Sequence, residues 1–263
     1  MRQRIVTGLL AGIFFIAVLF LGHGWFSLLI TLLAVIAYYE FVKLNGGRGS
    51  EPASLLGFAG VLYLVIPWNH LPPLPVPPQQ TVIWLFMFLF FALTVFSQNR
   101  TSIDKIALLF IGVVYIGVGF YYMIFTRFLE NGLYWTFLLF ACIWLTDIGA
   151  YFAGRLFGKK LLWPTISPKK TVEGAIGGAL LSIAAALVFF MFAPELLTWQ
   201  KAVLIGLSVS VIGQLGDLIQ SAYKRVRNIK DSGNILPGHG GILDRTDSWI
   251  IVFPFIHFLG LLP

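Results

Sequence analysis

Nine apolar segments, separated by short polar loops, run through the whole chain and restrict the folds that it can adopt. A helix of about 20 apolar residues crosses the hydrocarbon core of a bilayer and satisfies its own backbone hydrogen bonds there. The segments are Ile5–Leu21, Trp25–Phe41, Leu55–Trp68, Thr81–Phe96, Ile106–Phe125, Leu133–Ala153, Ala175–Phe192, Ala202–Ile219 and Trp249–Leu262. The sequence therefore predicts an all-α, polytopic integral membrane protein with about nine transmembrane helices.

The composition supports this class of protein. Hydrophobic residues make up 58% of the 263 residues and charged residues 11%, against about 45–50% and about 25% in soluble domains. Nine spans leave no room for a separate soluble domain, so we interpret residues 1–263 as a single transmembrane domain. The single cysteine, Cys142, lies in an apolar segment, which excludes a disulfide framework and a cysteine metal cluster.

The basic residues are distributed unevenly between the two sets of loops. With nine spans, only Arg127 and Lys201 of the 18 Lys and Arg residues fall on the side opposite the N-terminus. Because positive residues are retained in the cytoplasm, the count predicts a cytoplasmic N-terminus and a multi-pass protein of the cell membrane. The basic residues occupy short loops rather than a folded basic face, so nucleic-acid binding is not expected.

Three acidic residues lie inside apolar segments at a shared depth. Glu40, Asp147 and Asp217 each fall near the predicted cytoplasmic end of their segment. An ionisable group at such a depth costs about 3 kcal/mol or more unless it faces a polar cavity, a partner or a metal. The sequence therefore predicts a polar site at the cytoplasmic boundary of the membrane.

The densest polar region, Ser221–Asp247, lies between the last two predicted helices. A polar stripe with helical spacing leads into it along the eighth segment. The members of the stripe are Gln214, Asp217, Ser221 and Lys224. The stripe connects the interior of the membrane to this polar region.

Three carboxylates are expected to meet beside the stripe. Asp244 and Asp247 are three residues apart at the predicted start of the last helix, so they share a face. Together with Asp217 they would suit Mg²⁺, which proteins hold through carboxylates, water and substrate phosphates. In the alternative interpretation, Asp244 and Asp247 only complement a helix N-terminus. Asp217 then pairs with Lys224.

The glycine-rich middle of the polar region allows two interpretations. The amides of Gly240 and Gly241 can bind phosphate oxygens, but the same glycines also suit a plain turn. His239 beside them is a candidate acid, base or phosphate donor, and it is equally compatible with a structural or exposed position.

The loop after the sixth segment is a second polar concentration. Ser167 and Pro168 predict an N-cap and first helical position, so Lys169 and Lys170 would fall in the first turn of the seventh helix. A helix start with two lysines favours a phosphate. The alternative is that these lysines only anchor a cytoplasmic loop.

The polar motifs resemble those of a known family. The run S-A-Y-K-R-x-x-x-x-K-D-x-G-x-x-L-P-x-H-G-G-I-x-D-R-x-D, Ser221 through Asp247, resembles the signature of the phosphatidate cytidylyltransferases, or CDP-diacylglycerol synthases. Asp147 with Ala150–Lys159, and then Ser167–Gly174, resemble the other polar motifs of that family in the same order. The resemblance implies a polytopic enzyme of phospholipid biosynthesis that joins CTP and phosphatidic acid to give CDP-diacylglycerol and pyrophosphate. It also implies a requirement for Mg²⁺, with K⁺ as a candidate assisting ion.

The resemblance also implies roles for individual residues. Asp217, Asp244 and Asp247 match the acids of the family's metal centre, and Lys224 and Arg225 match basic residues near the phosphates. We interpret the remaining polar residues of the motifs as substrate-binding: Asp147, Lys169, Lys170, Ser221, Lys230, His239, Gly240 and Gly241. The active site is expected to face the cytoplasm.

Two other functions compete with this one. A CTP-dependent lipid kinase of the polyprenol type would pass a γ-phosphate to a membrane alcohol, and the phosphatidate-specific signature counts against it. A transporter would also contain intramembrane acids, but it predicts acids at the midplane of the membrane. Small-residue faces at Gly112–Gly119 and Gly174–Gly178 would serve either a homodimer or internal helix packing.

Overall fold

A computed structural model describes residues 2–70, 76–235 and 240–263. Nine α-helices form within these ranges. They are α1 (Arg2–Leu21), α2 (His23–Leu44), α3 (Pro52–Val65), α4 (Gln79–Phe96), α5 (Ile103–Phe128), α6 (Gly132–Phe157), α7 (Val172–Phe192), α8 (Trp199–Val226) and α9 (Leu243–Phe258). A short 3₁₀ turn covers Trp68–His70, and two strands, β1 (Leu161–Trp163) and β2 (Ser167–Thr171), lie between α6 and α7.

The helices follow the apolar segments, which confirms the predicted all-α, polytopic membrane architecture. Within the described ranges, α2, α4, α5, α6, α7 and α8 are the six helices that are long and apolar enough to cross a membrane by length and composition. Shorter apolar helices cover Gly8–Leu21 and Pro52–Val65. Nine crossings and a cytoplasmic N-terminus remain predictions.

The chain forms two compact units. The first unit comprises the chain up to Phe125 together with Asp231–Arg245. In it, α2 packs on α1 and α3, and α3 packs on α4. The fully buried Tyr38 of α2 donates a hydrogen bond to the Leu109 carbonyl of α5 at 3.3 Å. Gly57 of α3 leaves the room for this ring, because a Cβ atom there would lie 1.8 Å from the tyrosine hydroxyl.

The second unit comprises Thr126–Lys230 and Thr246–Pro263 and is built on α6, α7 and α8. Glycines bring these helices close together. A Cβ atom on Gly149 of α6 would lie 2.6 Å from the Gly177 carbonyl oxygen of α7, and one on Gly206 of α8 would lie 2.6 Å from the Ile183 Cα atom. On α7 itself, a Cβ atom on Gly177 would lie 2.2 Å from the Ala153 Cβ atom of α6, so this glycine serves packing within the chain. The homodimer stays a prediction.

The predicted start of the seventh helix at Ser167 is wrong. Ser167–Thr171 is strand β2, which pairs antiparallel with β1, and α7 begins at Val172. Thr171 has an extended backbone and its side chain accepts a hydrogen bond from the Gly174 amide at 3.1 Å, so it is the N-cap. Pro168, which lacks an amide hydrogen, is tolerated in so short a two-stranded sheet. Lys169 and Lys170 consequently lie on a strand, where successive side chains point to opposite faces.

Candidate active site

Asp217 and Lys170 form an ion pair in the second unit. Lys170 Nζ lies 2.5 Å from Asp217 Oδ2, and Ser221 Oγ donates to Asp217 Oδ1 at 3.3 Å. Both charged side chains are partly shielded, with 26% and 35% of their surfaces exposed. The polar stripe of α8 and the Ser167–Gly174 motif therefore meet at this pair. The alternative interpretation named Lys224 as the partner of Asp217, whereas the structure pairs Asp217 with Lys170.

Gln214, at the membrane end of the stripe, links helices. Its Nε2 donates to Ser210 Oγ at 2.9 Å and to the Ala175 carbonyl of α7 at 3.3 Å. These contacts fix α8 against the start of α7 and thereby set the position of Asp217 one turn further along.

Asp247 lies near the start of α9, before the last predicted span. Its Oδ1 accepts a hydrogen bond from the Ser248 amide at 2.7 Å. Burial raises the pKa of Asp247 to about 7, the carboxylate of Asp217 adds to this shift, and Lys224 opposes it. Asp147 raises the same pKa by a smaller amount. These charges of the second unit thus act on one another.

A glycine allows α9 to approach α8 beside Asp217. A Cβ atom on Gly216 would lie 2.8 Å from the Asp247 carbonyl oxygen and 3.2 Å from the Ser248 Cα atom. Ser248 Oγ also donates to the Gly213 carbonyl at 3.1 Å. Asp217 and Asp247 are therefore presented by two helices that are in backbone contact.

The β-hairpin that carries Lys170 is attached at both ends. At its base, the Lys159 and Lys160 amides donate to the carboxylate of Glu173 at 3.0 and 3.2 Å. At its turn, Arg225 Nε donates to the Ile166 carbonyl at 3.3 Å. Arg225, predicted to lie near the substrate phosphates, thus also holds the hairpin against the end of α8.

Asp244 belongs to the first unit and is 8% exposed. Its Oδ2 accepts hydrogen bonds from the amides of Ser232 and Gly241 at 2.7 and 2.9 Å. Gly240 next to this contact has a φ of 85°, a conformation that glycine adopts without strain. Asp244 therefore braces the polar loop, which agrees in part with the interpretation that it complements the start of a helix.

The other predicted site residues have varied exposure. Lys224 is half-buried near the end of α8, whereas Asp147, Lys169 and Lys230 are exposed. His239 lies outside the described residues, so its role stays a prediction. Sequence reasoning missed the contact of Glu40 with the polar loop. The position of this acid inside an apolar segment did indicate that its side chain needs a polar partner.

Among the described residues, no group of three or more His, Cys, Asp or Glu side chains forms a ready-made metal site. Mg²⁺ commonly needs only one or two protein carboxylates, with water and substrate phosphates as its other ligands. Asp217 and Asp247 are carboxylates of one unit whose charges influence each other, so they are the residues that would hold Mg²⁺. The addition of Asp244 as a third ligand remains a prediction.

An apolar groove of about 340 Å³ is formed by residues of the β-hairpin, α7 and α8. Its lining is close to the ion pair in the sequence, since Val172 is two residues after Lys170 and Gln214 is three residues before Asp217. The main apolar side chains of the lining are Trp163 of β1, Ile176 and Ala179 of α7, and Val211, Leu215 and Leu218 of α8. The same three elements of the second unit thus carry both the ion pair and an apolar surface.

Known proteins are similar to almost the entire chain. Residues 2–262 match the sequence model of the cytidylyltransferase family. A protein named phosphatidate cytidylyltransferase from Bacillus subtilis (strain 168) is 39% identical over 269 residues, which cover 98% of this chain and 97% of the relative. Proteins of the same name from Staphylococcus saprophyticus and Staphylococcus aureus (strain COL) are 38% and 37% identical, with 98% of each chain covered.

Proposed function

Because the chain belongs to the cytidylyltransferase family, we propose that it transfers the cytidylyl group of CTP to phosphatidic acid, giving CDP-diacylglycerol and pyrophosphate. The relatives that share the full length of the chain carry the name of this activity. The structural observation that carries the proposal is that one set of elements bears both the Lys170–Asp217 pair and an apolar groove, since phosphatidic acid combines a phosphate with acyl chains.

The reaction needs no side-chain nucleophile. A phosphate oxygen of phosphatidic acid attacks the α-phosphorus of CTP in line, a new P–O bond forms, and the bond to the β-phosphate oxygen breaks to release pyrophosphate. The attacking monoester is already anionic. The contribution of the protein is therefore to bring two anions together and to neutralise their charge.

The residues of the second unit are suited to that task. Lys170, Lys224 and Arg225 would neutralise phosphate oxygens, and Asp217 orients the ammonium of Lys170. Asp217 and Asp247 would hold Mg²⁺, with Asp244 as a proposed third ligand. We also propose K⁺ as an ion that assists the reaction. Bound Mg²⁺ would offset negative charge on the triphosphate and on the leaving pyrophosphate.

The apolar groove would accept an acyl chain of phosphatidic acid. Two of its lining residues, Ile176 and Leu215, belong to α7 and α8, which are apolar enough to span a membrane. Trp163 lies on β1, between α6 and α7 in the sequence. CTP is soluble in the cytosol and phosphatidic acid in the bilayer, so we place the site at the cytoplasmic boundary of the cell membrane. The positive residues of the neighbouring loops support this orientation.

Purified protein in liposomes that contain phosphatidic acid tests the proposal. With CTP and Mg²⁺, we expect CDP-lipid and pyrophosphate in equal amounts. A CTP-dependent lipid kinase would instead release CDP and phosphorylate a membrane alcohol, and a transporter would form no product. Either result, or no CDP-lipid at any Mg²⁺ and K⁺ concentration, would contradict the proposed activity.

A further inference from the structure

We propose that Glu40 is a positioning residue of the active site. It holds the polar loop that precedes α9, and this loop in turn fixes the orientation of the Asp244 side chain. The inference rests on the proposed function. The loop is described by two arms, Asp231–Ile235 and Gly240–Ile242, and both belong to the same unit as α2. Glu40 is far from them in the sequence and belongs to no recognised motif.

The carboxylate of Glu40 binds both arms of the loop and the start of α9. Oε1 accepts a hydrogen bond from the Ile242 amide at 3.0 Å. Oε2 accepts one from the Leu243 amide at 2.9 Å and one from Ser232 Oγ at 3.0 Å. Glu40 is only 2% exposed, and a buried carboxylate is stable only where such donors replace water.

Two glycines of the loop leave the space for this carboxylate. A Cβ atom on Gly233 would lie 2.4 Å from Glu40 Oε1, and one on Gly241 would lie 2.3 Å from Glu40 Oε2. Real Cβ atoms do not approach other atoms so closely. The glycines therefore have a packing reason that is independent of phosphate binding, and each arm fits around the Glu40 side chain.

Ser232 and Gly241 connect Glu40 to Asp244. The Ser232 hydroxyl donates to Glu40, while its amide donates to Asp244 Oδ2 at 2.7 Å. The Gly241 amide donates to the same oxygen of Asp244 at 2.9 Å. The loop backbone is thus held between two carboxylates. A shift of the loop away from Glu40 would move the groups that fix the orientation of Asp244.

A graded set of variants tests this role. Glu40→Gln keeps the shape but places an amide NH₂ opposite one of the donors, and Ser232→Ala removes one of the three hydrogen bonds and keeps the charge. We expect kcat for CDP-lipid formation to fall about 10- to 100-fold in Glu40→Gln and less in Ser232→Ala. We expect the KM for phosphatidic acid to stay within about twofold, because the apolar groove is unchanged.

Glu51→Gln is the matched control. Glu51 is an acid of the same unit that pairs with Lys105, and its side chain is 31% exposed. Ion pairs near the surface contribute about 1 kcal/mol or less of stability, and Glu51 belongs to no predicted site, so this variant should keep the wild-type kcat. Hydrogen–deuterium exchange of peptides covering Ser232 and Gly240–Leu243 should accelerate in Glu40→Gln and Ser232→Ala but not in Glu51→Gln.

The outcomes separate this inference from the proposed function. A folded Glu40→Gln protein whose kcat equals that of the unmodified protein would overturn the positioning role. The proposed activity would still stand, because it depends only on CDP-lipid synthesis by the unmodified protein. A lower melting temperature with unchanged kcat per folded molecule would also overturn it, because the role would then be purely structural. If Glu40→Gln does not fold, Ser232→Ala decides: unchanged kcat with unchanged exchange contradicts the proposal.

Discussion

The ammonium of Lys170 lies 2.5 Å from the Oδ2 atom of Asp217. The two residues come from different polar motifs, one on a β-hairpin and the other on a long helix. Their contact links Lys170 directly to a predicted metal ligand. The hairpin that carries Lys170 is also attached to its neighbours through Glu173 and Arg225.

Removal of the Lys170 ammonium should impair catalysis. Lys170→Met keeps most of the apolar stem, but it leaves Asp217 without its ion-pair partner and a substrate phosphate without a counter-charge. We expect CDP-lipid formation to fall about 10- to 100-fold, measured with radiolabelled CTP. Lys201→Met, at an exposed position at the start of α8, is the control and should keep full activity. Full activity in Lys170→Met would remove this residue from the site.

The two carboxylates of the second unit should determine the response to Mg²⁺. Asp217→Asn and Asp247→Asn each remove one charge of the donor set without a change of shape. We expect turnover to fall at least about 100-fold, with a higher Mg²⁺ concentration needed for the residual activity. Glu195→Gln, an exposed acid between α7 and α8, should have a normal Mg²⁺ titration. A variant with a normal titration curve would not have lost a metal ligand.

Asp244 allows the metal role and the bracing role to be separated. Asp244→Asn can still present one oxygen to the Ser232 and Gly241 amides, whereas Asp244→Ala cannot. If Asp244 also binds metal, both variants should lose activity, but only Asp244→Ala should show faster hydrogen exchange in the loop. An active Asp244→Asn protein with slow exchange would restrict Asp244 to bracing.

Filling the apolar groove should affect the lipid substrate alone. Ala179→Phe adds a ring to a wall of the groove, while Val188→Phe adds the same ring to an exposed position of α7 outside it. We expect Ala179→Phe to raise the KM for long-chain phosphatidic acid about 10-fold, with the KM for CTP unchanged. Equal kinetics for the two variants would show that no acyl chain occupies the groove.

Much of the fold could be predicted because hydropathy acts locally. A run of apolar residues predicts a membrane helix whatever its neighbours are, and α2, α5 and α8 lie where the pattern placed them. The hairpin was missed for a local reason as well. Ser167 and Pro168 form a good helix start, yet Thr171 is an equally good cap that competes with them.

The site could be predicted only in part because its contacts join distant positions. Residue spacing places Asp217 and Ser221 on one helix face, and the hydrogen bond between them agrees with that. Spacing contains no information about the pairing of Asp217 with Lys170, or of Glu40 with Leu243, since each pair depends on how separate elements pack. Tertiary contacts of this kind require coordinates.

The fit of Glu40 between Gly233 and Gly241 has a consequence for hybrid proteins. The N-terminal half of the chain, which lacks distinctive motifs, supplies the carboxylate of Glu40. The C-terminal half supplies the two glycines that leave room for this carboxylate and three groups that donate hydrogen bonds to it. A chimera that joins the front of one relative to the back of another should therefore function only when both parents place an acid and small residues at these positions. The two regions are exchangeable as a matched set and not separately.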